Sequence, residues 1–467
     1  MKHLGWWVLA VLAALLLWHV DTWHTPNPTS RALLAISLVE DHSYQVDRFK
    51  EWTEDKALIN GHYYSDKAPL ASWLAAPVYA LSTALSGKSS TSYPQHSAIY
   101  SGALVSGVIP ALLFIALLWG ALRRAEASPI LSVLYIFAAV PCSMIGLYSG
   151  TFFGHVLGGI LLVVAWKELF HGRRPLLAGL ALGLASCAEF PLLLFVPFLA
   201  LALLLRPSAN RGRDLLSFAL GLAPGALLIA GHNFLTTGSL SEFAYKHVDS
   251  PSFQHMKTLY GFKLPRLDAL WGLTFSIAHG LLFHVPVLLV LAVASLRRRK
   301  PMIRQATMKA AAILAYLLLV SSYQMWEGGW AFGPRHLIPI AMVLLFEGTA
   351  LMPAVFTKSW GWALGLSAGA GGALVFLAKA TTLYMIPSQF RMPLLEVLLP
   401  KFLKGELNKN VLPTQLLGVS PYFSHLLWAH LLVFGALWLC QKGLVLEPSP
   451  LPTAEGSLQR TSSDPAT

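Results

Sequence analysis

The run Asn60-Gly61-His62-Tyr63-Tyr64-Ser65-Asp66-Lys67-Ala68-Pro69-Leu70 sets a carboxylate beside an ammonium, just ahead of an apolar segment that opens on proline. Asp66 there suits a divalent metal or a substrate hydroxyl. Lys67 suits a phosphate, which it would meet as a point charge; the bland alternative is a solvated ion pair in a loop. A second cation, Arg335, closes the stretch Trp326-Glu327-Gly328-Gly329-Trp330-Ala331-Phe332-Gly333-Pro334-Arg335-His336. Its planar fork matches a pair of phosphate oxygens, the three glycines permit close approach of backbone to a ligand, and Glu327 is a candidate ion-pair partner. Glu189, in Cys187-Ala188-Glu189-Phe190-Pro191, stands between two apolar runs. An ionisable group at that depth is costly and is read as functional unless it has just emerged among headgroups. Asp47, in Tyr44-Gln45-Val46-Asp47-Arg48, is a third candidate carboxylate, with pairing to Arg48 or plain solvation as the competing readings. His155, in Phe153-Gly154-His155, is a candidate metal ligand or hydrogen-bond donor, and equally a structural histidine. His232 and Asn233, at the end of another apolar run, either line a site or pack.

These side chains must be positioned by a chain of 467 residues that is 55% hydrophobic and 12% charged, with a mean hydropathy of +0.58. Soluble globular proteins carry roughly 25% charged residues, and no soluble fold of this size hides so much apolar surface. Disorder needs low hydrophobicity. The composition therefore predicts an all-α polytopic membrane protein. Its net charge of +12 gathers in short knots: Arg123-Arg124, Arg173-Arg174, Arg206 with Arg211 and Arg213, and 297–300. Knots of that kind hold cytoplasmic loops in place. They form no basic face interleaved with aromatics, so nucleic acid is excluded as a partner and membrane lipids are expected. Cys142, Cys187 and Cys440 lie inside apolar runs, without metal spacing or a disulfide framework.

Apolar runs of spanning length fall at 5–20, 98–122, 129–147, 152–170, 176–190, 191–206, 215–234, 280–296, 306–322, 336–353, 361–382 and 425–441, about twelve spans in all. The first has no small-residue cleavage site after it and reads as an uncleaved span with the N-terminus inside. Treating 69–85 as a helix lying in the interface, rather than as a further span, places every basic knot inside. A second interfacial helix is expected over 30–40, after Thr29 and Ser30 as caps. Four longer segments then face outward: 21–97, 235–279, 323–335 and 383–424. Residues 1–443 form one transmembrane domain, and 444–467, rich in Pro, Ser and Thr, read as a disordered cytoplasmic tail. No internal repeat is visible, which speaks against a transporter built from inverted halves.

The Asp66-Lys67 run resembles the acid-Lys-Pro-Pro segment in the first outer loop of the polyprenyl-phosphate-sugar-dependent glycosyltransferases. That group has the GT-C superfold and includes the lipid A aminoarabinose transferase and the protein O-mannosyltransferases. The 326–336 stretch resembles the Gly-Gly-Trp-x-x-Gly-Pro-Arg segment of its bacterial members. The run from Asn233 to Tyr245, with Gly238-Ser239, and Leu270-Trp271-Gly272-Leu273 are similar to that subgroup too. The resemblance covers the chain from its first span to about residue 340. It implies inverting transfer of one sugar from a polyprenyl-phosphate carrier to a lipid, glycan or protein acceptor, at the outer face of a bacterial inner membrane, with a divalent metal as an optional cofactor. On that reading Asp66 and Lys67 match the acid and lysine that contact metal or phosphate, and Arg31 matches the arginine of an acid-acid-x-Arg motif after the first span.

Two positions depart from the pattern. Asn27 stands where the family's catalytic acid is expected, and Ala68 replaces the second proline. An amide cannot take a proton, yet an acceptor hydroxyl that attacks an anomeric carbon must lose one, and a carboxylate is the natural base. The leaving phosphate must be stabilised by Lys, Arg or a metal. Asp66 and Glu189 are the favoured bases, ahead of Asp47. The competing functions are a transporter or lipid flippase, which would want paired charges at mid-membrane, and a polysaccharide polymerase or ligase using lipid-linked donors.

Overall fold

The computed structural model describes residues 2–19, 25–87, 96–206, 208, 210–296 and 303–445. The basic knot at 297–300 and nearly all of the expected tail lie outside them. The chain is built almost wholly of helices. Among the described residues five are long and apolar enough to cross a membrane: Ser97–Arg124, Arg211–Thr237, Gln305–Ser322, Lys358–Ala380 and Pro421–Leu444. Several apolar runs read as single spans are broken instead, for local reasons. Pro141 and the capping Ser143, whose hydroxyl accepts from the Ile145 N–H, split 129–147 into Pro129–Ala139 and Met144–Tyr148. Pro286 separates Leu281–His284 from Val287–Leu296, because proline brings no N–H to the helix it enters.

The long segment after the first helix folds into a small subassembly. Pro26–Glu40 begins on proline, pre-set for a helix start, and Leu70–Ser86 ends at Gly87 in a left-handed conformation. The two helices pack on each other and on the start of Ser97–Arg124. Their shared core of Leu33, Ile36, Phe49, Leu70, Ala71, Tyr79 and Ile99 continues into Phe152 and Leu157 of the bundle. Tyr79 donates to Glu40 at 2.6 Å and ties the far ends together. Between them lies a two-stranded antiparallel hairpin, Ala57–Ile59 against His62–Tyr64. Its turn residues, Asn60 and Gly61, both have positive φ, as the tight turn that suits twisted strands demands. The hairpin delivers Ser65, Asp66 and Lys67 to the face of the bundle.

Elsewhere the helices meet main chain to main chain. Pro175–Ala188 and Arg211–Thr237 approach so closely that a Cβ at Gly179 would stand 2.1 Å from the Phe218 carbonyl oxygen, and one at Gly221 would stand 2.1 Å from that of Leu176. Gly221→Val should therefore lower thermal stability in detergent by at least the 1–3 kcal/mol typical of overpacking. Gly231→Ala, in the same helix but facing open space, should leave it unchanged. Equal stability of the two variants would mean that the helix contact tolerates side chains.

Candidate functional site

Lys67 is buried, and its Nζ lies 2.8 Å from Asp55 Oδ2 and 2.9 Å from Asp66 Oδ2. It also sits 5.2 Å from the centre of the Tyr245 ring. Burial works against its charge, but the carboxylates of Asp55 and Asp66 outweigh that and raise its pKa. For Asp66 burial wins: its pKa is raised despite the nearby Lys67. Ser30 donates to Asp66 Oδ1 at 3.4 Å and lies 2.8 Å from the Ser65 hydroxyl, so the first turns of Pro26–Glu40 hold the hairpin's exit. Burial pushes the Tyr245 phenol up to about 12, which keeps it a neutral hydrogen-bond donor.

The second half of the site surrounds Glu189. This residue sits in extended backbone between Pro175–Ala188 and the short helical turn Phe190–Leu194 that Pro191 starts. Its side chain is 13% exposed, and Oε1 is 3.3 Å from Arg31 Nη2 and 3.3 Å from His155 Nδ1. Arg31, 2% exposed, is fully engaged: Nε donates to Asn27 Oδ1 at 3.1 Å and Nη1 to the Ala68 carbonyl at 3.0 Å. Asn27, where an acid was expected, thus serves as an acceptor that aims Arg31 at Glu189. Gly154 makes room for this, since a Cβ there would fall 2.5 Å from Glu189 Oε1.

Arg335 lies over the Phe153 ring at 4.7 Å, and its buried Nε has no hydrogen-bond partner. Gly328 packs against it, since a Cβ there would stand 3.0 Å from that nitrogen. Among the described residues no ion pair engages Arg335. It and Arg31 differ in this respect: one guanidinium is saturated, the other is not.

Glu189, His155, His336, Tyr245, Tyr260 and Tyr323 line a cavity of about 380 Å³ together with apolar residues that include Phe190, Leu193 and Leu319. Lys67, Asp66 and Asp55 stand behind Tyr245. Glu189 is the one charged side chain that lines this hollow, and Arg31, Arg335 and Lys67 all stand close enough to act on its charge.

The remaining expected residues are placed apart. Asp47, 39% exposed, binds the hairpin, accepting from the Tyr63 N–H at 2.6 Å and lying 2.7 Å from His62 Nδ1. His232 packs against Tyr44 and Trp73, and Asn233 Nδ2 donates to the Leu240 carbonyl, closing the turn that follows its helix. Glu327 faces Arg266 and Asp268, with no ion pair to Arg335 among the described residues. A metal held by Asp66 and His155 does not suit this arrangement. Asp66 is committed to Lys67 and His155 to Glu189, and among the described residues no three His, Cys, Asp or Glu side chains gather to hold an ion. Sequence reasoning missed Asp55, which sits in Thr53-Glu54-Asp55-Lys56 and looks like part of a solvated charged loop. It also missed His336, although that residue adjoins Arg335.

No protein-family model matches the chain, and neither does any curated protein. Two solved structures do. ArnT from Cupriavidus metallidurans, bound to undecaprenyl phosphate, superposes over 94% of this chain and 76% of its own, with a TM-score of 0.50 and 16% sequence identity. An Archaeoglobus fulgidus oligosaccharyltransferase, in complex with zinc and sulfate, covers 81% of this chain and 53% of its own at 14% identity, with a looser TM-score of 0.45. The overall fold is thus the one ArnT has, the GT-C fold.

Proposed function

We propose that the chain is a membrane glycosyltransferase of the inverting kind, moving one sugar from a polyprenyl-phosphate carrier to an acceptor on the outer side of the membrane. The observation that carries this reading is the cavity itself. It joins a carboxylate, Glu189, with Arg31, Arg335 and Lys67 close behind it, to a lining rich in leucine and aromatic side chains, the two chemistries of a lipid-linked phosphate sugar. The ArnT structure, with undecaprenyl phosphate bound to the same fold, supports the donor class.

In the proposed reaction the acceptor hydroxyl attacks the anomeric carbon from the side opposite the phosphate. The new C–O bond forms as the bond to the phosphate oxygen breaks, the acceptor proton passes to Glu189, and polyprenyl phosphate leaves carrying the electron pair. Arg31 and His155 fix the Glu189 carboxylate, so little reorientation is needed when the charge shifts. Arg335 supplies an unengaged guanidinium to the phosphate. Lys67 joins it: the raised pKa of Asp66 lets that carboxyl take up a proton readily, leaving Asp55 to hold the ammonium while it turns to the donor. Asn27 takes no proton in this scheme.

Membranes containing the protein, supplied with labelled polyprenyl-phosphate sugars, should yield labelled product together with free polyprenyl phosphate. Movement of intact labelled donor between leaflets without cleavage would overturn transfer in favour of a flippase. The side of the membrane is tested separately by single cysteines in a Cys440→Ser background. Lys50→Cys and Lys404→Cys should react with an impermeant reagent in intact cells, and Arg211→Cys should react only after lysis. The reverse pattern would turn the site inward.

A further inference from the structure

Two helices lead away from the catalytic cavity to a second hollow. His155 lines the first cavity at the start of His155–Lys167, and Lys167 lines the second at its end. Likewise His336 precedes Ile338–Gly348, and Phe346 and Glu347 lie in its last turn at the second hollow. At 1.5 Å per residue the two hollows are about 18 Å apart. The second has a volume of about 350 Å³ and is lined by Arg124, Lys167, His171, Glu347 and Thr349, with Ala121 and Phe346 as apolar wall.

The basic groups come from separate segments: Arg124 from the last turn of Ser97–Arg124, Lys167 from the end of His155–Lys167, and His171 from the wide turn Glu168–Gly172 that follows it. The one lining carboxylate is already satisfied. Glu347 accepts from Trp166 Nε1 at 2.8 Å and Lys309 Nζ at 2.6 Å, and lies 3.0 Å from His171 Nε2. Lys167 pairs with Glu168, which Arg174 also approaches at 3.9 Å. Arg124 has no ion pair among the described residues. Four cations (Arg124, Lys167, Arg174 and Lys309) thus face two carboxylates, and the fork left over is an arginine, the side chain best shaped for two phosphate oxygens.

We propose that this hollow binds the phosphate of an anionic lipid headgroup. Basic pockets between transmembrane helix ends are suited to that role; here the apolar wall would receive the first carbons of the glycerol backbone. The site is distinct from the catalytic cavity and does not depend on the transfer reading.

The test uses the purified full-length protein in detergent, with binding of phosphatidylglycerol, phosphatidylcholine and inorganic phosphate measured in parallel by native mass spectrometry. Phosphatidylglycerol should bind in preference to phosphatidylcholine. Arg124→Ala and Lys167→Ala should each weaken it about fivefold, with Arg124→Lys recovering part of the loss. Arg211→Ala, which removes a basic residue outside the hollow, should leave the affinity unchanged. Thermal unfolding of each variant without lipid shows whether it is folded, and Arg124→Lys preserves the test if an alanine variant is not. Wild-type affinity in both alanine variants, or equal binding of phosphatidylcholine, would overturn the proposal. Tight binding of inorganic phosphate through the same two residues would overturn its lipid part.

Discussion

Arg335→Ala should lower transfer by about 10²–10³-fold, the usual effect of removing one donor to developing negative charge, while leaving the fold intact. The expectation of intact folding is specific. Arg335 is tied to no carboxylate among the described residues, so its removal strands no buried charge. Lys67→Ala should cost a similar factor in rate but also destabilise, because Asp55 and Asp66 would lose the ammonium between them; breaking a buried pair typically costs 3–5 kcal/mol. The double variant Lys67→Ala/Asp55→Asn removes one of the stranded charges and should regain part of the stability without regaining turnover. Turnover and thermal unfolding measured on the same preparations separate these effects. Near wild-type turnover in Arg335→Ala and in a folded Lys67 variant would show that neither cation meets the donor phosphate.

Glu189→Gln should cost about 10²–10⁴-fold, the range for a positioned general base. The amide keeps an oxygen for Arg31 and His155, so shape and packing survive while the proton acceptor is lost. In the wild-type protein activity should fall as pH is lowered and Glu189 takes up a proton. The residual rate of the variant should lack that acidic limb. Asp66→Asn should have the smaller effect, since Asp55 still holds Lys67, and Asp47→Asn should act only on the hairpin. Should Asp66→Asn abolish the limb while Glu189→Gln stays active, the base is Asp66.

The parts of this site that were legible in the sequence are those whose residue type is anomalous where it stands. Glu189 interrupts apolar runs, Arg335 is a cation beside glycines, and Asp66-Lys67 sets opposite charges side by side just ahead of an apolar segment. Asp55 was illegible because a charged residue in a charged loop is ordinary; only the fold brings it to 2.8 Å from Lys67. The service of Asn27 to Arg31 depends on one helical turn of geometry that periodicity does not encode. The helical class followed from composition. The helix boundaries did not, because a proline or a capping serine inside an apolar run interrupts the helix without interrupting the hydrophobicity, as at Pro141 and Ser143.

The contact at Gly179 and Gly221 bears on how such a protein can change over time. Where two helices touch through main-chain atoms, their spacing is set by groups that every residue shares, and only the few positions without a side chain are constrained. The outward faces of the same helices, such as Leu216, Leu220 and Leu227, are exposed and need only remain apolar. Drift can therefore replace most of the letters in these helices while the frame that holds Glu189 in place is inherited almost unchanged.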